Sequence, residues 1–213
     1  MKRIKTILFD WDGCLGQTLD IWVESWLATF KNFDVDVNKR EVVNSAFLHW
    51  REPIEMGIEN SEMFYETLYT QVETRMNKVK LYPGVKKTLE ELGKHKVTMA
   101  VVTSSRRSLV EPVLERLKVR NYFEVIIGEE ETKNPKPNPE VVNKALKTMM
   151  ASHDNAMIVG DGENDIVAGR RANIKTGLFF PNINKKFYDE KSISKIKPDY
   201  FFREMQEILE LVG

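Results

Sequence analysis

The residues of this chain that can do chemistry together fall in four short stretches. Asp10 and Asp12 stand in Ile7-Leu8-Phe9-Asp10-Trp11-Asp12-Gly13, and Thr103 opens Thr103-Ser104-Ser105-Arg106. Lys136 opens Lys136-Pro137-Asn138-Pro139-Glu140, and Asp161 and Asp165 lie in Gly160-Asp161-Gly162-Glu163-Asn164-Asp165. Crowded carboxylates are costly unless a cation uses them. Carboxylates unaccompanied by histidine or cysteine ligands favour a hard cation, usually Mg2+. A metal, a hydroxyl donor and an ammonium together suit the charge of a phosphoryl group.

These groups act together only if the fold brings them together. The apolar run ending at Asp10 reads as a buried parallel strand over 4–10. From residue 82 onward, helices and strands alternate. Helices are expected over 85–94, 108–118, 139–150 and 164–172, and strands over 97–103, 123–127, 156–160 and 176–180. A short strand and a final helix follow in 198–212. Alternation of this kind implies a parallel sheet with helices on both faces. Each of the four stretches then follows a strand, so all four lie on one edge of the sheet, where open α/β sheets place their ligands.

The stretch 18–80 breaks that rhythm and reads as helical throughout. Leu19, Trp22, Val23, Trp26, Leu27 and Phe30 recur at helical spacing. Further helices are expected over 38–50, from Pro53, and over 61–77 with Ser61 as the cap. The expected fold is a doubly wound, Rossmann-like parallel α/β core, residues 1–15 and 81–213, with an all-α helical cap, residues 16–80, inserted after the first strand. The charge-rich stretch 184–197 reads as a mobile loop without an assigned role.

Composition narrows the function classes. Lys plus Arg and Asp plus Glu each number 32 in 213 residues, a balance that gives no support for nucleic-acid or membrane-surface binding. The one cysteine, Cys14, excludes an intrachain disulfide and points to a reducing compartment. No segment approaches the roughly 20 apolar residues of a membrane span. A cytoplasmic location is expected. His49, His95 and His153 show no ligand spacing.

Asp10-Trp11-Asp12-Gly13, Thr103, Lys136 and Gly160-Asp161-x-x-x-Asp165 occur in the order and approximate spacing of the haloacid dehalogenase superfamily. Tyr82-Pro83-Gly84-Val85 after a helical insertion, and Lys136-Pro137-x-Pro139-Glu140, resemble its phosphoglycolate phosphatase and β-phosphoglucomutase branch. The motifs span residues 7–165, and the strand–helix layout matches nearly the whole chain.

The resemblance implies a role for each matched residue. Asp10 matches the nucleophile that forms an aspartyl-phosphate. Asp12 matches the acid/base that protonates the leaving group and then activates water. The carboxylates of Asp10 and Asp161 and the backbone carbonyl of Asp12 match the Mg2+ ligands. Asp165 matches a group acting through a metal-bound water or by orienting Lys136. Thr103, with Ser104 beside it, and Lys136 match the phosphate-binding groups. Members that remove halogens usually lack the second acid of the first motif, so Asp12 favours phosphoryl chemistry. Cys14 stands where many relatives carry Thr or Val.

Bland readings stand beside several of these. Lys133 rivals Lys136, Asp165 suits a helix surface, and the cap aromatics suit helix packing better than a pocket. Arg51 and Arg106 are candidate substrate-binding residues and equally suit solvated surface. The expected activity is Mg2+-dependent hydrolysis of a small phosphorylated metabolite, with the cap closing over substrate. A sugar phosphomutase uses the same intermediate. Phosphonate cleavage would need a Schiff-base lysine in the cap, where none stands out. A phospho-accepting receiver domain, a signalling module, would be about 120 residues long and carry its aspartate after an internal strand.

Overall fold

The computed structural model describes residues 3–45, 57–188, 193 and 195–212. The chain divides into two compact units, Met1–Gln17 with Lys80–Gly213, and Thr18–Val79.

In the first unit, β1 (Thr6–Phe9) is buried at every position. That is what an apolar run without alternation demands of a strand covered on both faces. The other strands are β2 (Thr98–Val102), β3 (Val125–Ile127), β4 (Ala156–Gly160), β5 (Lys175–Phe179) and β6 (Tyr200–Phe202). They form one sheet in the order β3-β2-β1-β4-β5-β6, and every neighbouring pair is parallel. The chain winds outward from β1 to β3, then returns to β4 on the other side of β1. Strand order therefore reverses between β1 and β4, which opens a crevice at their carboxyl ends. The doubly wound α/β expectation holds.

One face of the sheet presents Leu8, Ala100, Val102, Ala156 and Ile158 to Val141, Val142, Ala145 and Leu146 of the helix Glu140–Thr148 and to Ala168 of the helix Glu163–Arg171. Each fully buried aliphatic side chain of leucine size contributes roughly 1.5–3 kcal/mol. The strands thus form a rigid base from which the edge loops project. The chain leaves and re-enters this unit through two adjoining segments. Gly16 bridges Leu81 in antiparallel sense, and Gln17 Nε2 donates to the Leu81 carbonyl at 2.7 Å.

The second unit contains the helices Leu19–Asn32, Lys39–Ser45 and Ser61–Glu73 and the 3-10 turn Met76–Lys78. Trp26, Phe30 and Phe64 meet with ring centroids 4.9–5.7 Å apart, so the aromatic stripes of the first and third helices pack against each other. The cap of the helix beginning at Ser61 is Asn60, whose side chain accepts from the Met63 amide. Ser61 is instead the first helical residue. The helix expected from Pro53, the end of the one expected to reach Trp50, and the candidate Arg51 lie outside the described residues. Among the described residues no helix is long and apolar enough to cross a membrane.

The core elements differ from expectation mainly at their ends. The short strand and final helix expected over 198–212 are β6 and the 3-10 helix Met205–Leu211.

Candidate active site

Sheet register assembles the site. Phe9 pairs with Val101 of β2 and with Val159 of β4. The Asp10 amide continues the ladder by donating to the Val159 carbonyl at 2.8 Å. Asp10 therefore leaves the sheet between the ends of β2 and β4, beside Thr103 on one side and Asp161 on the other. The loop beyond it turns at once. The Leu15 and Gly16 amides both donate to the Trp11 carbonyl at 3.1 and 2.9 Å, and Gly13 has φ +71°, a conformation that suits a residue without Cβ.

Lys136 arrives from the long connection after β3. Glu140 ties that connection down by accepting from the Lys133 amide at 2.8 Å and from the Asn134 amide at 3.1 Å. The Asn138 side chain accepts from the Glu140 amide at 3.0 Å, and so opens the helix Glu140–Thr148. Lys136 is 8% exposed. Its Nζ donates to Asp10 Oδ1 and to Asp165 Oδ1, both at 2.6 Å, and to the Val102 carbonyl at 3.2 Å. Its rival, Lys133, is exposed.

Asp165 sits in the first turn of the helix Glu163–Arg171, and its Oδ2 accepts from the Gly162 amide at 3.3 Å. A Cβ on Gly160 would collide with the Asp165 side chain. Glycine at position 160 is thus what lets Asp165 reach Lys136. Oxygens of Asp10, Asp161 and Asp165 lie within 4.8 Å of one another, and all three residues are buried. Burial is the main force on the charge of Asp10 and Asp161. It pushes the Asp10 carboxyl up to about 8, against the pull of Lys136 and with the push of Asp165. It also raises Asp161 well above the usual carboxylate range, with Asp10 and Asp165 adding to the shift. Lys136 loses by desolvation, but Asp10 and Asp165 outweigh that loss and hold it above its ordinary value. Three buried carboxylates thus face one ammonium. The surplus of oxygen donors and negative charge fits a small hard cation, which would relieve the desolvation that protons otherwise relieve.

The loop after β2 adds polar groups. The Thr103 amide donates to the Ile127 carbonyl at 3.0 Å, which seats the residue at the edge. Its Oγ1 accepts from the Ser105 amide at 3.0 Å. Ser105 Oγ in turn donates to Asp12 Oδ2 at 2.6 Å. Ser104 is half-buried on the same loop. Arg106 Nε pairs with Glu129 Oε1 at 3.4 Å. Cys14 is fully buried, its thiol donates to the Val159 carbonyl at 3.5 Å, and burial pushes it well above its ordinary range. It packs as a neutral thiol.

Two contacts escape the sequence reading. Ser105 carries no role there, although it binds Asp12. Tyr188 lies in the stretch read as a mobile loop, yet its hydroxyl donates to Asp161 Oδ2 at 2.5 Å. Burial, then the Asp161 charge, keeps that phenol protonated. Only the partner 27 residues away marks Tyr188; the local pattern holds no signal for it.

Residues 7–179 match the family of haloacid dehalogenase-like hydrolases. The pyrophosphatase PpaX of Oceanobacillus iheyensis is 28% identical over 212 residues, 99% of this chain and 97% of that protein. PpaX of Bacillus mycoides is 30% identical over 216 residues, 99% and 98% of the two chains. Among solved structures, a haloacid dehalogenase-like hydrolase from Streptococcus pneumoniae superposes with a TM-score of 0.82 at 19% identity, covering 97% of each chain. CbbY from Rhodobacter sphaeroides, solved in complex with phosphate, gives 0.80 at 19% identity over 96% of each.

Proposed function

The chain belongs to the haloacid dehalogenase-like hydrolases and is a phosphatase of that family, and on that basis we propose that it hydrolyses a small phosphorylated compound with Mg2+ through a phosphoaspartate at Asp10. The reading rests on one observation above the others. Buried Asp10, Asp161 and Asp165 are grouped within ligand distance of one another, and Lys136 bridges two of them.

In this proposal Asp10, Asp161 and the backbone carbonyl of Asp12 hold the cation, with Asp165 beside them. When bound, Mg2+ neutralises phosphoryl charge that would otherwise repel an anionic nucleophile. Lys136 adds a fixed positive charge on Asp10, and Thr103 offers a hydroxyl to the phosphoryl oxygens. A carboxylate oxygen of Asp10 forms a bond to phosphorus while the bond from phosphorus to the leaving oxygen breaks. Asp12 gives its proton to that oxygen. In the second half, Asp12 takes a proton from water, and the water oxygen bonds to phosphorus. The phosphorus–Asp10 bond then breaks, which releases phosphate and restores both aspartates. Ser105 fixes one oxygen of Asp12 throughout. The helical unit Thr18–Val79 takes the role of a cap that sets specificity, with Arg51 as its candidate contact. Arg106, at the end of the Thr103 loop and paired with Glu129, stays a candidate substrate contact.

The curated relatives are named pyrophosphatases, so pyrophosphate heads the substrates to test. The experiment is phosphate release from pyrophosphate, phosphoglycolate, sugar phosphates and nucleotides, with Mg2+ and with chelator. Release that requires Mg2+ is expected. No release from any of them would overturn the hydrolase reading, and isomerisation of a sugar phosphate without release would make the protein a mutase.

A further inference from the structure

We propose that residues 181–188, which follow β5, form a brace for the cation site, and that Tyr188 is a positioning residue that holds Asp161 in its metal-binding orientation. The inference rests on the Mg2+ reading above and extends it to residues outside the four motifs.

The segment touches both acidic loops. Asn184 is fully buried, and its Nδ2 donates to the Gly13 carbonyl at 2.9 Å. Its Oδ1 accepts from the Tyr82 hydroxyl at 2.6 Å. A buried amide with its oxygen and nitrogen both engaged is fixed in orientation, and losing either partner would leave a polar group unsatisfied. Gly13 follows Asp12 in the turn that carries the first two acids. Four residues after Asn184, Tyr188 donates its hydroxyl to Asp161 Oδ2 at 2.5 Å. The bond fixes which way the Oδ2 oxygen of this buried carboxyl points. The Tyr188 ring is itself set against Phe180, with centroids 6.0 Å apart, and Phe187 is buried beside it in sequence.

The geometry gives the segment a purpose that local packing alone does not require. A carboxylate ligand free to rotate loses affinity, because binding must then order it. Hydrogen bonds behind the ligands orient them, and removing such a bond typically lowers metal affinity by about 10–100-fold. Tyr188 supplies that bond to Asp161, while Asn184 fixes the loop bearing Asp10 and Asp12. One short segment therefore sets the spacing between the two halves of the site.

The test is Tyr188→Phe, which keeps the ring and removes the hydroxyl. Mg2+ binding to the full-length protein is measured by calorimetry, together with the Mg2+ dependence of phosphate release. About a tenfold or greater loss of Mg2+ affinity is expected, with turnover largely restored at saturating Mg2+ and substrate KM unchanged there. Unchanged affinity in a folded variant would overturn the inference. Should the variant fail to fold, the wild-type protein still decides: adding Mg2+ must perturb tyrosine absorption, and no perturbation would overturn it. Wild-type protein that binds no Mg2+ would instead overturn the proposed function, so the two failures are distinct.

Discussion

Lys136 sits where three buried carboxylates would otherwise face only one another, and this imbalance governs the chemistry of the site. Burial raises Asp10 from 3.8 to about 8. A carboxyl raised on folding carries a proton in the native state that the unfolded chain has lost. In chelator, Asp10 therefore withdraws stability as pH rises from about 4 to about 8. Cation binding needs the ionised form and must expel that proton. Mg2+ affinity is expected to rise between about pH 6 and pH 8.5, with protons released on binding near neutrality. Calorimetry in two buffers of different ionisation enthalpy would read both, and a flat affinity would contradict the assignment. At this scale the motif residues were legible because each stands in a recognisable string, Asp10, Thr103 and Asp161 directly after a strand and Lys136 and Asp165 in the connections that follow one. Ser105 and Tyr188 were not, since a serine or tyrosine acquires its role from a partner distant in the chain.

Elements position these residues by register and close approach. The pairing of Phe9 with Val101 and Val159 puts Asp10 between two loop ends. The strands could be read because short apolar runs rich in branched residues alternate with longer helical patterns. Helix ends were less legible, as Asn60 in place of Ser61 illustrates: neighbouring residues of good capping type compete, and only the formed bond to the Met63 amide decides. The helix Glu163–Arg171 carries Asp165 and lies so near the sheet that a Cβ at Gly169 would collide with Ile158 Cγ2 and approach Thr176 Cγ2 to 2.8 Å. Gly169→Ala would gain about 1 kcal/mol in helix propensity. Overpacking against branched strand residues costs about 1–3 kcal/mol, so the collision wins. The variant is expected to unfold at lower denaturant than wild type, with activity reduced as Asp165 moves. A stabilised, fully active variant would show that the helix does not need this proximity.

For the whole molecule, the reversal of strand order between β1 and β4 defines where a ligand belongs. Both acidic pairs, Asp10 with Asp12 and Asp161 with Asp165, follow the strands at that reversal. The doubly wound layout was legible from the alternation of strand and helix patterns, and the strand order that makes the reversal was not. The bracing segment 181–188 was not, because a charged, Asn-rich stretch looks like any solvated loop until Asn184 is seen buried. The central claim is that Asp10 itself receives the phosphoryl group. The most direct measurement is borohydride trapping during turnover, which reduces a phosphoaspartate to homoserine, followed by mass analysis of the peptide containing residue 10. Homoserine at position 10, formed with Mg2+ and substrate and absent with chelator, is the predicted result. Steady turnover that leaves Asp10 unmodified under the same trapping would contradict the account.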